Sequence, residues 1–595
     1  MGELRSILPY FRPYLKGFYL GLVFVFFANL FQIAGPYLMK LAIDGLSEPD
    51  VQASRIAFLA SMIVVAALIG GGFRYGMREL LNGISRRMET DLRNDFFKHL
   101  LRLDPTFYGT VRTGDLMSRA TNDTLAVRMA VGPAVMYTVN TAASFVLALG
   151  LMIWISPRLT LYAMIPMVVL PPIVLGFGRV IHRRFQEIQE QFSSLSTFVQ
   201  ENLTGVRIVR AYTQEEEQAT QFDAYNEDYR QKNMQLVFKA GAFHPLLMFI
   251  SGIAMVIVTW LGGLEVIAGR ITVGDFVAFG FYLVLLIWPM IALGWVVNLY
   301  QRGSASMGRL NKILNAEPSV TVPAEPASLE QARGRIEFRS VSFTYPETER
   351  EVLRGIDFVA HPGETVAIVG PTGSGKSTLV GLIARLYDPS RGHVLIDDIP
   401  LTDLDPADLR GRLGMVPQDP FLFSDTISGN IGLGIDIEAG AHSDPGEAVI
   451  EAARVAQLHE QIEAFPKRYE TMLGERGINL SGGQKQRATL ARAVARDPLV
   501  LILDDALSAV DTHTEAKILE DLREVMAGRT SFIISHRVSA VMKADKILVL
   551  EDGEIVQRGT HAELIAAEGT YARLLRRQML EEDLESDLVG ASADH

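Results

Sequence analysis

Gly370, Pro371, Thr372, Gly373, Ser374, Gly375, Lys376, Ser377 and Thr378 follow a short β-branched run, 365–369, and lead into a stretch of helical character. Glycines at this spacing let the backbone curl until successive N–H groups point at an anion, and a helix starting behind them adds its positive end. The pattern is that of a phosphate-binding loop, in which Lys376 reaches the β- and γ-phosphates and the Ser377 hydroxyl ligates Mg²⁺. A second apolar run, 499–503, ends in Asp504 and Asp505. A carboxylate at the end of such a strand is where a phosphate-bound Mg²⁺ needs a ligand, so Asp504 takes the metal and Asp505 is next in line to orient an attacking water.

The elements that position these residues divide the chain in two. Of 595 residues, 49% are hydrophobic and 21% charged, but the apolar residues are concentrated in the first half in runs of about 20, enough to cross ~30 Å of hydrocarbon. Six stretches qualify: 17–43, 55–78, 134–156, 159–182, 243–267 and 274–300. Spans two and three, and again four and five, are joined by long connections with heptad-like apolar spacing, which predicts helices continuing well beyond the bilayer. Arg74, Arg78, Arg86, Arg87, Arg93, Lys98 and Arg102 crowd the first connection, whereas the short opposite loops offer little beyond Arg158 and Arg270. Basic residues favour the cytoplasmic side, which puts both connections and both termini there. Each connection breaks at its middle, the first at Asp104, Pro105 and 113–115, the second at Thr204 and Gly205. Asn29, Gln32, Asn140, His244 and Asn298 are among the few polar residues inside the spans. Interhelical packing explains any one of them better than substrate binding.

Residues 1–315 thus read as a membrane domain and 316–333, with three prolines within 316–326, as a linker. From 334 to 580, short β-branched runs alternate with helical stretches, as in a largely parallel sheet flanked by helices. The acidic tail 581–595 lacks apolar periodicity and reads as disordered. The fold class is an α-helical six-span membrane domain fused to an α/β phosphate-loop nucleotide-binding domain. A net charge of −12 and a pI near 5.5 give no broad basic surface for nucleic acid. The absence of Cys removes disulfides, thiolate metal sites and a cysteine nucleophile. Residues 1–16 have no small-residue cleavage site before the first span, so they do not read as a removable signal peptide.

Leu480, Ser481, Gly482, Gly483 and Gln484 stand between the phosphate loop and the second acidic strand. With that run in place the chain resembles the ATP-binding cassette transporters. Six spans fused ahead of one nucleotide-binding domain resemble a half-transporter of the multidrug-exporter type, in the cell's inner membrane. The resemblance implies ATP and Mg²⁺ as ligands. It implies that Tyr345 stacks on adenine, that Gln418 touches Mg²⁺ or the water, and that His536 contacts the γ-phosphate. It assigns 113–123 and 206–212 to coupling helices, 474–477 to the segment that meets them, and 508–511 to the loop crossing to the other nucleotide domain. It also implies head-to-tail pairing, in which Ser481 and Gly483 close on ATP held by a partner's phosphate loop. A second half-transporter is therefore required, besides the lipid bilayer and a transported drug, lipid or peptide.

The sequence departs from the family where the usual Leu-Asp-Glu-Ala reads Leu503, Asp504, Asp505, Ala506. General-base catalysis depends on reach before pKa. Asp is one methylene shorter than Glu, and a misplacement of about 1 Å costs on the order of a hundredfold in rate. The site on this chain's own loop is expected to bind ATP and hydrolyse it slowly, as in the slow subunit of a heterodimeric exporter. A homodimeric exporter, and an ATP-gated channel or regulatory subunit, stand as alternatives.

Overall fold

The computed structural model describes residues 2–46, 52–329, 331–346, 348–435, 446–474, 477, 479–535, 537, 541–577 and 579; the tail 581–595 lies outside the described residues. The chain divides into two compact units, Met1–Leu101 with Thr113–Ala316, and Arg102–Arg112 with Glu317–His595.

In the first unit, six helices are long and apolar enough to cross a bilayer: Glu3–Leu46, Ala53–Leu100, Thr113–Ile155, Pro157–Thr204, Glu215–Ile267 and Val273–Leu314. Ala53–Leu100 has 48 residues, and at 1.5 Å per residue it runs about 70 Å, more than twice the hydrocarbon thickness. Pro157–Thr204 and Glu215–Ile267 are as long or longer, as the heptad-like spacing predicts. Gly205 ends the fourth span's helix, and a short helix, Val206–Ala211, forms the turn to the fifth. Two of the intramembrane polar residues pair with each other: Asn29 donates from Nδ2 to Asn140 Oδ1 at 2.9 Å, while Arg74 donates to Gln32 Oε1 at 2.6 Å.

The first connection breaks at Asp104 and Pro105, one of its two expected positions. Its long helix ends at Leu100, and Asp104 caps a new helix, Pro105–Thr110, by accepting the Thr106 N–H at 3.0 Å. Proline at the first helical position costs no hydrogen bond, because that N–H has no intrahelical acceptor. Of this connection, Arg102–Arg112 group with the nucleotide-binding unit, and residues 113–123 with the first unit.

The second unit holds two sheets. β1 (Ile336–Thr344), β2 (Glu351–Ala360), β4 (Arg391–Ile396) and β5 (Ile399–Pro400) form an antiparallel sheet in the order β2-β1-β4-β5. The other sheet has the order β10-β9-β3-β8-β7-β6, from β3 (Thr365–Val369), β6 (Leu413–Val416), β7 (Val500–Asp504), β8 (Thr530–Ile534), β9 (Lys546–Glu551) and β10 (Glu554–Gly559). Its pairings are parallel except β9–β10. Strands β7 and β8 are buried at every residue, which is why they read as unbroken apolar runs rather than alternating ones.

The proline-rich segment after the last span is not a free linker. Val320 and Leu329 are buried, Leu329 in the core shared by β1, β2 and β3, and Ala327 pairs with Leu404. The prolines suppress helix and leave extended chain that packs. Leu329→Ala is therefore expected to destabilise the nucleotide-binding unit by about 2–5 kcal/mol, as buried leucine truncations do. Thermal unfolding of the full-length protein checks this, and a midpoint equal to wild type would mean a tether.

Candidate functional site

The carboxyl ends of the parallel strands meet along one edge. In register, Ile368 of β3 and Asp504 of β7 both pair with Ile534 of β8, so the phosphate loop and the acidic pair emerge at one level from strands two apart. Ligands of open α/β sheets bind beyond this edge. Gly373 and Gly375 have φ of 82° and 100°, the left-handed region that favours glycine. A Cβ on Gly375 would also come within 2.8 Å of Leu353 Cδ2 and 3.1 Å of the Val352 carbonyl oxygen.

A cleft of about 230 Å³ lies here, lined on the loop side by Thr372, Gly373, Gly375, Lys376, Ser377 and Thr378, and opposite them by Gln418, Asp504, Asp505 and Ile534. Lys376 is only 7% exposed, and its Nζ donates to the carbonyl oxygens of Gly370 at 2.9 Å and Pro371 at 2.8 Å. Burial pulls this ammonium's pKa down, against the charges of Asp504 and Asp505, which push it up. Ser374 Oγ is buried with no hydrogen-bond partner among the described residues. An orphaned hydroxyl and an ammonium held by carbonyls alone fit an incoming phosphate, which would supply the acceptor oxygens.

The same cleft suits Mg²⁺ rather than a softer ion. Among the described residues no group of three or more His, Cys, Asp or Glu could hold a metal. Ser377, Gln418 and Asp504 bring a hydroxyl, an amide and a carboxylate to one lining. Mg²⁺ prefers such a sparse oxygen set completed by water and phosphate.

Asp505 has φ 49°, a conformation Asp adopts more readily than most side chains. Its backbone N–H donates to the Ile534 carbonyl at 2.9 Å. Tyr345 does not line the cleft among the described residues; its hydroxyl hydrogen-bonds Thr378 Oγ1 at 3.0 Å, and its ring meets Phe343 and Tyr387 edge-on at 4.8 and 5.4 Å. His536, Glu475 and Arg476 lie outside the described residues.

The run at 480–484 is not brought to this cleft. Ser481 caps the 14-residue helix Gly482–Ala495: its Oγ accepts the Gln484 N–H at 3.3 Å, while Gln484 Oε1 accepts the Ser481 N–H at 2.9 Å. Ser481 and Gly482 are exposed, so the tip of this helix faces solvent.

Two residues that sequence reasoning missed hold the loop 508–511. Gln486, buried on the same helix, donates to Ser508 Oγ and accepts from the Ala509 N–H, both at 2.8 Å. Arg537 donates to the Val510 carbonyl at 3.2 Å and pairs with buried Glu515. Their polar type at a buried face was the available signal, but their partner was not readable from spacing.

With this geometry in hand, comparison with known proteins is direct. Residues 18–290 match the family described as the ABC transporter transmembrane region, and 353–508 match the ABC transporter family. The chain is 38% identical over 580 residues to the Multidrug resistance-like ATP-binding protein MdlA of Escherichia coli (strain K12), covering 97% of this chain and 96% of that one. It is 33% identical over 594 residues to the ATP-dependent lipid A-core flippase of Syntrophus aciditrophicus (strain SB), covering 99% and 96%. A solved structure described as a bacterial Atm1-family ABC exporter with ATP bound superposes with a TM-score of 0.79 at 27% identity, covering 96% of this chain and 99% of that one.

Lys376→Met keeps the buried stem and removes the ammonium. Loss of a charged hydrogen bond to phosphate is expected to weaken ATP binding about 10- to 100-fold. Equilibrium binding of a fluorescent ATP analogue checks it, and unchanged affinity would place the phosphates elsewhere.

Proposed function

Because this chain belongs to the ATP-binding cassette transporters, as a half-transporter of the exporter branch, we propose that it forms the slow-hydrolysing subunit of a heterodimeric, multi-pass exporter. Its nucleotide-binding unit and both termini lie in the cytoplasm, the side favoured by the basic residues of the long connections. The membrane is the cell's inner one. The cargo is hydrophobic or amphipathic, a drug, lipid or peptide, in keeping with the names of the multidrug resistance-like and flippase relatives.

Two nucleotide-binding units close head to tail in this reading. Each phosphate loop holds Mg²⁺–ATP through Lys376, Ser377, Gln418 and Asp504 or the partner's counterparts, Tyr345 stacks on adenine, and His536 contacts the γ-phosphate. Ser481 and Gly483, at an outward-facing helix tip, complete the partner's site. Closure and hydrolysis-driven separation swing the helical turns and open the bundle alternately to the two sides.

The observation that carries the slow-site reading is Asp505. Its backbone N–H is tied to the Ile534 carbonyl, so the strand end cannot slide forward to make good a missing methylene. The carboxylate's reach is fixed by side-chain length, and about 1 Å of shortfall costs on the order of a hundredfold in rate.

Purified alone, the chain is expected to bind ATP and turn it over poorly; robust ATPase activity without a second subunit would overturn the heterodimer. Asp505→Glu is expected to speed hydrolysis at this chain's own loop by up to about a hundredfold, read as single-turnover ATP cleavage. An unchanged rate would mean that side-chain length is not limiting. ATP-dependent substrate accumulation in inverted vesicles separates an exporter from a channel, which would pass ion current with no accumulation.

A further inference from the structure

The phosphate-loop helix, Lys376–Ile383, ends in an unusual anchor. Arg385 adopts φ 46° and is 2% exposed, the largest fully buried side chain of the chain's described residues. Its Nε donates to Asp388 Oδ1 at 2.9 Å, one Nη to the Leu404 carbonyl at 2.7 Å and the other to the Thr321 carbonyl at 2.9 Å. Arg410 in turn donates to the carbonyl oxygens of Ala384 and Arg385 at 3.2 and 2.6 Å. A left-handed arginine persists only where its surroundings over-determine it, and here they fasten the segment after the last span to the end of the phosphate-loop helix.

Two residues before Thr321 the same segment is held from the other side. Ser319 donates from its N–H and, at 2.8 Å, from its Oγ to Asp104 Oδ2, and the Val320 N–H adds a bond to the same oxygen at 3.4 Å. Asp104 is 8% exposed and caps Pro105–Thr110 with its other oxygen. Burial raises its carboxyl pKa, but the hydrogen bonds from Ser319, Thr106 and Val320 outweigh it and hold the carboxyl below its usual range. Tyr387 stands within electrostatic reach of both Asp104 and Tyr345.

We propose that residues 319–321 form a strap joining the phosphate-loop helix to the turn between the second and third spans within one chain, with Arg385 and Asp104 as the positioning residues at its two ends. The route is Lys376–Ile383, Arg385, Thr321, Ser319, Asp104, Pro105–Thr110. Nucleotide-driven movement of the phosphate-loop helix is delivered along it to a turn that is covalently continuous with Ala53–Leu100 on one side and with the third span on the other. The strap rests on the reading that ATP occupies the phosphate loop, and it adds a path independent of the partner subunit.

Asp104→Asn isolates it, because an amide offers one acceptor oxygen and cannot serve both the helix cap and the strap. The experiment is amide hydrogen exchange of the full-length protein in lipid nanodiscs, with and without Mg²⁺–ATP. In wild type, ATP is expected to slow exchange both in 370–378 and in 106–110. In Asp104→Asn, ATP affinity and the protection of 370–378 remain while the ATP-dependent protection of 106–110 is lost. A merely static brace would instead raise exchange in 106–110 equally in both conditions and leave the ATP-dependent difference intact, which overturns the strap. Protection of 370–378 without any of 106–110 in wild type also overturns it, whereas no protection of 370–378 overturns the nucleotide reading itself. Should Asp104→Asn fail to fold, Ser319→Ala, which keeps the backbone bonds, is expected to lose part of the protection; protection equal to wild type overturns the strap.

Discussion

A positive charge buried in a loop of glycines is the constraint on which the nucleotide-binding unit depends. The Lys376 ammonium has two backbone carbonyls as acceptors, and burying an ammonium without a counter-charge costs several kcal/mol. Asp504 and Asp505 oppose its neutralisation but emerge from a strand two positions away, across β8. The parallel order β3-β8-β7 therefore sets the spacing between cation and carboxylates, leaving a gap between them that a phosphate chain with its metal can fill. Ser374 Oγ, buried without a partner among the described residues, belongs to the same preparation. The loop is arranged around charges it does not itself possess.

That arrangement is one-sided. The loop, Gln418 and the acidic pair line the cleft, whereas Ser481 and Gly482 are exposed at the tip of a separate helix. The capping box at Ser481 pre-forms this tip before any ligand arrives, so its N–H groups need no rearrangement to meet an anion. Gln486 then ties the same helix to the loop 508–511, which Arg537 holds from the far end of β8. In the head-to-tail pairing proposed above, a chain built this way would supply half of each of two sites, with a rigid connection between its halves. Its function is legible only at the level of a pair.

Local chemistry was legible in the sequence, and docking was not. The phosphate loop is specified by the residues that form it, because glycine positions dictate the backbone and the backbone dictates the site; β3 spans the five residues read as its strand. Span lengths were readable because a bilayer imposes one length on every helix that crosses it. The packing of the segment 316–333 was not readable because proline content reports missing helix, not missing packing, and Leu329 enters a core assembled from strands far along the chain. In the first connection the break at Asp104 and Pro105 was readable, but its anchoring was not, because Asp104 is fixed by backbone donors more than 200 residues away. Arg385 gave no signal at all, since an arginine reads as surface until its carbonyl partners are known.

The departure at Asp505 shows how a single methylene acquires weight from its surroundings. In a mobile loop a shorter carboxylate is offset by a small backbone shift, and the rate changes little. At the end of β7 the backbone is held by parallel pairing on both sides, to β6 and to β8, and the next N–H is committed to Ile534. Moving Asp505 toward the γ-phosphate would drag Asp504, and with it the carboxylate that faces the metal position. In the slow-site reading proposed above, two tasks sit on adjacent residues: Asp504 would hold the position that binding needs, while Asp505 would fall short of the one that hydrolysis needs. On that proposal, a site with the first and without the second would retain nucleotide, and a subunit that retains nucleotide would keep its lobe closed against a partner that turns over.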